Sequence, residues 1–160
     1  MSDQTGYDTE LLPLLGTDEA TIDNRGRILL GKKKRERLGD SFAITIGEFG
    51  CICAYPAVSW RARIREINSY PPNNIGRQKY SRFLLGDSDD DLTCDPQGRV
   101  VIPRKLQEMG KLKDKVLLVG CGDRLEIWDP VEYESYLSNP DDYCRDRRIA
   151  MENAYNEMKR

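Results

Sequence analysis

The chain repeats its own hydrophobic pattern. The aliphatic triplet Ile28-Leu29-Leu30 leads through a short basic stretch to an apolar run, Phe42–Ile46. A glycine-containing turn at Gly47–Gly50 follows, then a second run that ends in Tyr55. The same succession returns as Val100-Val101-Ile102, Val116–Val119, a turn at Gly120–Asp123 and a run that ends in Trp128. Short apolar runs bounded by turns read as strands, and apolar residues at i, i+3 and i+4 read as helices. Helices are predicted from about Ala57 to Ile67 and from about Val131 to Leu137, closing the two copies, and from about Ile75 to Leu85 between them. The stretch Pro103–Gly110 is a short helix, since proline suits a first helical position and glycine a C-terminal stop. Its counterpart is Gly31–Gly39. Ala150, Met151, Ala154, Tyr155 and Met158 form a further helical stripe, able to pack on the domain or on a neighbouring subunit.

The repeat is tightest at its start. Ile22-Asp23-Asn24-Arg25-Gly26-Arg27-Ile28-Leu29-Leu30 matches Cys94-Asp95-Pro96-Gln97-Gly98-Arg99-Val100-Val101-Ile102 at an offset of 72 residues (Asp23 to Asp95). Each copy is then β–short helix–β–turn–β–helix. A unit this small buries little surface alone, so the two copies are expected to pack together as one pseudo-twofold domain. This partitions the chain into an acidic extension (1–17), expected to be disordered, a first repeat (18–70), a linker with a helix (71–91), a second repeat (92–138) and a C-terminal helix (139–160).

Composition then removes whole classes of function. No stretch approaches the length of a membrane span, and the acidic N-terminus lacks the basic start of a signal peptide, so a soluble, intracellular protein is expected. There is no histidine, hence no Ser-His or Cys-His nucleophile pair and no His-ligated metal. Neither a Walker loop nor a G-x-G-x-x-G before a helix is present. The reading is of a protein that is not an enzyme, with no cofactor, no metal and no small-molecule substrate. Five cysteines, an odd number outside any secretory context, argue for reduced thiols. Cys51 and Cys53 fall on one face of a strand. No second closely spaced pair accompanies them, so they read as buried core thiols. The acidic cluster Asp87–Asp91 lacks the spacing of a calcium loop and reads as a solvated loop.

A net charge of −2 conceals segregation. Residues 21–40 carry seven bases against three acids, and residues 61–82 carry six against one. Residues 1–20 hold five acids and no base, and residues 123–142 hold seven acids and one arginine. A polyanion binder needs a local positive field rather than a positive total.

Asp-x-x-Gly-Arg has a plain structural reading: aspartate turns the backbone, glycine takes positive φ and arginine pairs with the aspartate. Duplication in register adds a second one, because it sets two arginines symmetrically on one surface. Arg25 and Arg27, and likewise Gln97 and Arg99, alternate along an extended segment and are expected to share a face. Arginine can bond the O6/N7 edge of guanine, and glutamine can address adenine. Lys32, Lys33, Lys34, Arg104 and Lys105 are candidate phosphate contacts, which position without specifying. A solvated helix face is the other reading of these lysines, and inter-subunit salt bridges are the other reading of the arginines.

The paired motifs TIDNRGRILL and TCDPQGRVVIP resemble the MraZ family of bacterial transcriptional regulators, related to the AbrB and SpoVT type of DNA-binding fold. The closing Y-P…W and W-D-P…Y segments and GRQKYSRFLLGDSDDD support the likeness. The resemblance implies an α+β, mostly β, double swapped-hairpin barrel-like fold made from two tandem β-α-β-β-α repeats with a C-terminal helix. It implies ring-shaped homo-oligomers on G-rich direct repeats in double-stranded DNA upstream of the division and cell-wall gene cluster. A cytoplasmic, nucleoid-associated location and a repressor role follow from the same likeness. Carried over by motif position, the DNA contacts are Asp23, Asn24, Arg25 and Arg27, and Asp95, Gln97 and Arg99. Lys33, Arg104 and Lys105 join them as backbone contacts. Leu30-Gly31-Lys32 departs from the family, which tends to place a proline where the second repeat has Pro103.

Overall fold

The computed structural model describes residues 12–160. The expected disorder of the acidic extension falls mostly outside that range. Its last residues belong to the fold, since Leu14 is fully buried and bridges Gly122. The elements of the first repeat are β1 (Thr17–Thr21), β2 (Arg27–Leu29), α1 (Lys32–Leu38), β3 (Phe42–Ile46), β4 (Ile52–Pro56) and α2 (Ala57–Asn68). The linker helix α3 (Ile75–Leu85) precedes the second set, β5 (Asp89–Leu92), β6 (Arg99–Val101), α4 (Arg104–Met109), β7 (Lys115–Gly120), β8 (Leu125–Trp128) and α5 (Pro130–Ser138). The tail forms α6 (Arg145–Met158). Among the described residues no helix is long and apolar enough to cross a membrane.

The expected α+β class and the two tandem repeats hold, with more residues in helices than in strands. Six strands form one sheet in the order β1-β7-β8-β4-β3-β5, and β2 and β6 form a separate two-stranded ribbon. The large sheet is not closed into a barrel; β1 and β5 are its edges. Its order is pseudo-symmetric about the β4–β8 pair, and each repeat lends its first strand to the other. β1 pairs with β7, and β5 pairs with β3, both antiparallel.

Both faces of the central strands are covered, which explains their nearly continuous apolar sequence. In β4, Ile52 and Ala54 enter one core with Leu14, Ile28, Leu30, Phe42, Val100 and Leu118. Cys53 and Tyr55 alternate to the other side, where a second cluster includes Trp60, Tyr80, Trp128, Met151 and Met158. The helical stripe of the tail lies there: Met151, Ala154 and Met158 are buried, and α6 packs chiefly on α3. The aromatics that end the second strands pack on their own repeat's closing helix, Tyr55 on Trp60 and Trp128 on Tyr133, with ring centroids 5.6 and 5.1 Å apart.

The acidic block departs from its expected form. Asp89–Leu92 is not a loop but the edge strand β5, with its three aspartates exposed. Charge on an edge strand blocks further strand addition, so a run that looks too polar for a strand is suited to this place.

Helices α3 and α6 approach closely at Gly76, where a Cβ would collide with the backbone of Glu157 and Met158. Asn74 Nδ2 donates to the Met158 carbonyl at 2.9 Å across the same contact. Gly76→Ala is expected to force the helices apart and to cost about 1–3 kcal/mol, the range for overpacking a tight contact. Urea unfolding of the full chain checks this.

Candidate nucleic-acid interface

The two Asp-x-x-Gly-Arg motifs build matching turns. Asp23 Oδ1 accepts from the backbone N–H of Arg25 and of Arg27, both at 2.9 Å, and Oδ2 accepts from Arg27 Nε at 2.7 Å. Asp95 accepts from the N–H of Gln97 and Arg99 and from Arg99 Nε, all at 2.9 Å. The backbone closes each turn, as Gly26 donates to the Asp23 carbonyl and Gly98 to that of Asp95, both at 2.9 Å. The glycines sit at φ 75° and 85°, in the left-handed region that side chains disfavour. The backbone N–H of Arg27, above all, and of Arg99 in the second copy, holds the two carboxyls below their ordinary pKa.

Beyond each turn the arginine starts a strand, and the strands meet. Arg27 lies opposite Val101, Ile28 opposite Val100, and Leu29 opposite Arg99. Ile28 and Val100 point into the core, whereas Leu29 and Val101 are more than half exposed. Alternation along a strand therefore puts Arg27, Leu29, Arg99 and Val101 on the outward face. The Nε bond to Asp23 leaves the two terminal nitrogens of Arg27 without a partner among the described residues. In Arg99, Nη2 also lies 3.4 Å from Gln97 Oε1.

Three of the expected site residues behave differently from the sequence reading. Arg25 and Gln97 lie within the turns rather than on the strands, so strand alternation does not set their direction. Both are exposed, as is Asn24. Lys34 is no candidate for phosphate. It is buried, and its Nζ donates to Asp18 Oδ2 at 2.6 Å and to the Leu15 carbonyl at 3.0 Å. The period of α1 turns this one lysine inward while Lys32 and Lys33 stay exposed.

The antiparallel ribbon also sets each turn beside the other repeat. A groove of about 730 Å³ is lined by Asn24 and Arg25 from the first motif and by Arg104 and Gln107 from α4. Conversely, Arg35 of α1 lies against Gly98, where a Cβ would strike its guanidinium. Arg104 faces Glu108 at 3.5 Å and Lys105 faces Asp87 at 2.6 Å, both lysine and arginine side chains being largely exposed. Lys113 also lines this groove. Nothing in the linear pattern singles it out, because the strand pairing alone brings it near Asp23.

The family model described as "MraZ protein, putative antitoxin-like" matches residues 14–82 and 88–146, one match for each repeat. The chain is 31% identical over 130 residues to the transcriptional regulator MraZ of Pediococcus pentosaceus, covering 80% of this chain and 89% of that one. It is 33% identical to the protein of that name from a Thermoanaerobacter species, with 80% and 89% covered, and 33% identical to that of Salinispora tropica, with 82% and 92% covered. With the paired turns, the swapped strands and the shared ribbon, these matches establish that the chain belongs to the MraZ family.

Proposed function

We propose that this protein is a sequence-specific DNA-binding transcriptional regulator, and that the β2–β6 ribbon is its reading head. The carrying observation is the duplicated Asp–Arg pair, which holds two guanidinium groups on the outward face of one strand pair. A carboxylate that binds Nε fixes the plane of the arginine and leaves its terminal N–H groups available, and a planar donor fork is what a guanine edge accepts in the major groove. A two-stranded ribbon is also of a size that a major groove admits. On this reading Asp23 and Asp95 orient the arginines. Asn24, Arg25 and Gln97 reach bases from the turns, and Lys33, Arg104 and Lys105 hold the phosphate backbone. The relatives named as transcriptional regulators support the reading.

The finer parts of the proposal rest on the family resemblance. They are repression of the division and cell-wall gene cluster, recognition of G-rich direct repeats, and a ring-shaped homo-oligomer. A ring sets several weak reading heads along tandem sites, so their combined affinity exceeds that of any one. The competing reading, a scaffold in which the arginines bridge subunits, is disfavoured because each arginine already has a carboxylate partner within its own turn.

Fluorescence anisotropy on DNA from upstream of the protein's own gene, against a shuffled duplex, tests the proposal. Arg27→Ala and Arg99→Ala are each expected to lose about 1–3 kcal/mol of specific binding and to relax base preference. Loss of oligomeric size with DNA binding intact would favour the scaffold instead. Lys33→Ala and Lys105→Ala should weaken both duplexes alike, each lowering the log–log salt slope by about 1.

The depressed carboxyl pKa values set the direction of the acid response. A group whose folded pKa is lowered contributes stability above its unfolded pKa, and that contribution is lost as pH falls through the folded one. The Asp23 and Asp95 turns should therefore survive acidification through the ordinary aspartate range. Carboxyl chemical shifts followed by NMR should show both midpoints below the ordinary aspartate value.

A further inference from the structure

Away from the ribbon, on the helix-covered face of the sheet, two thiols and a carboxylate converge. Cys51 and Cys53 are buried, with their Sγ atoms 3.9 Å apart. Strand pairing sets Glu126 of β8 directly opposite Cys53 of β4. The two sulfurs and a Glu126 oxygen all lie within 4.8 Å of one another. We propose that Cys51, Cys53 and Glu126 form a binding site for a divalent thiophilic cation of the zinc class, shared between the two repeats.

Three features carry the proposal. The first is spacing. Metal–sulfur bonds of about 2.3 Å at a tetrahedral angle separate two thiolates by roughly 3.8 Å, so the sulfurs already stand at the separation that a shared ion requires. The second is the support of the carboxylate. Trp128 Nε1 donates to Glu126 Oε1 at 3.0 Å, Arg124 Nε donates to Oε2 at 3.1 Å, and Arg124 Nη2 forms an ion pair with Oε2 at 3.0 Å. Outer hydrogen bonds of this kind orient metal ligands. Oε1, which accepts a single bond, keeps a second lone pair for an ion. The third is space and access. The three residues line a cavity of about 220 Å³ together with Gly47, Arg63 and Met151. A Cβ on Gly47 would lie only 2.8 Å from Cys53 Sγ, so glycine in this turn keeps the sulfurs open.

The charges also balance. Two thiolates with Glu126 and Glu48 carry four negative charges, matched by a divalent ion and the guanidinium groups of Arg124 and Arg63, which line the same cavity. Three protein ligands leave a fourth tetrahedral position to a water molecule. The sequence hides this site because its third ligand is 73 residues beyond Cys53 (Glu126 minus 53) and reaches it only through the β4–β8 pairing. The proposal is independent of the DNA-binding reading.

Cobalt(II) titration of the reduced, chelator-treated full chain provides the test. The expected result is about one equivalent bound, with a near-ultraviolet sulfur-to-cobalt charge-transfer band that added zinc abolishes. Cys51→Ser and Cys53→Ser should each remove the band, and Glu126→Gln should weaken binding by about tenfold or more. Zinc should also raise the melting temperature of the wild type, because an ion that binds only the folded chain stabilises it. Circular dichroism shows whether each variant is folded. If a variant does not fold, the wild-type titration decides alone. Absence of the band in the wild type, or a band that persists in folded Cys53→Ser, would overturn the proposal and leave two core thiols.

Discussion

The exchange of backbone hydrogen bonds between the repeats is the constraint on which this architecture depends. Ile102 N–H donates to the Gly26 carbonyl at 2.8 Å, and Leu30 N–H donates to that of Gly98 at 3.0 Å. Each of these bonds links the end of one repeat's strand to the turn of the other. The same reciprocity recurs at the sheet edges, where β1 and β5 have changed places. Buried backbone groups must be paired, and at the ribbon and along β3 and β7 each repeat relies on a strand of the other. Half of the chain would leave the ribbon single-stranded and β3 or β7 without an edge partner. Duplication is thus a condition of folding as well as a doubling of the contact surface.

The exchange also determines what is left outside. The central strands of the large sheet are covered on both faces, so they have no open face to lay against a macromolecule. The ribbon is half buried: Ile28, Leu30, Val100 and Ile102 anchor it in the core, and alternate residues stand outward. Rigidity and exposure are thereby combined in the same short ribbon. The aspartates extend that rigidity into the side chains, since a guanidinium held through Nε has lost most of its rotamer freedom before any partner arrives, and less entropy remains to be lost on binding.

Much of this was legible in the sequence. The helices at Ala57, Ile75 and Val131, the paired strands and the pseudo-twofold were visible because each has a strong local signal: helical spacing, a proline or glycine stop, a repeated motif. The Asp–Arg pairing was also foreseeable, because residues four apart around a tight turn can reach each other wherever the turn sits. Less legible were features decided by what crosses from the other half. The aspartates of β5 read as a solvated loop because strand propensity ignores the value of charge at an edge. Lys34 looked like its neighbours until the helix phase and Asp18 were known. The placing of Arg25 and Arg104 along one groove, and of Glu126 opposite Cys53, depends on strand register over more than 70 residues (104 minus 25 is 79; 126 minus 53 is 73), which local patterns do not encode.

The pseudo-twofold of the ribbon is imperfect at its tips. One turn carries Asn24 and Arg25, the other Pro96 and Gln97, and Arg35 in one flanking helix is replaced by Gln107 in the other. A symmetric frame with unlike ends has a direction. Bound to DNA as proposed, such a head would tell one reading sense of the duplex from its reverse, and a palindrome would waste that distinction. Polarity of this kind suits a row of identical copies that all face the same way.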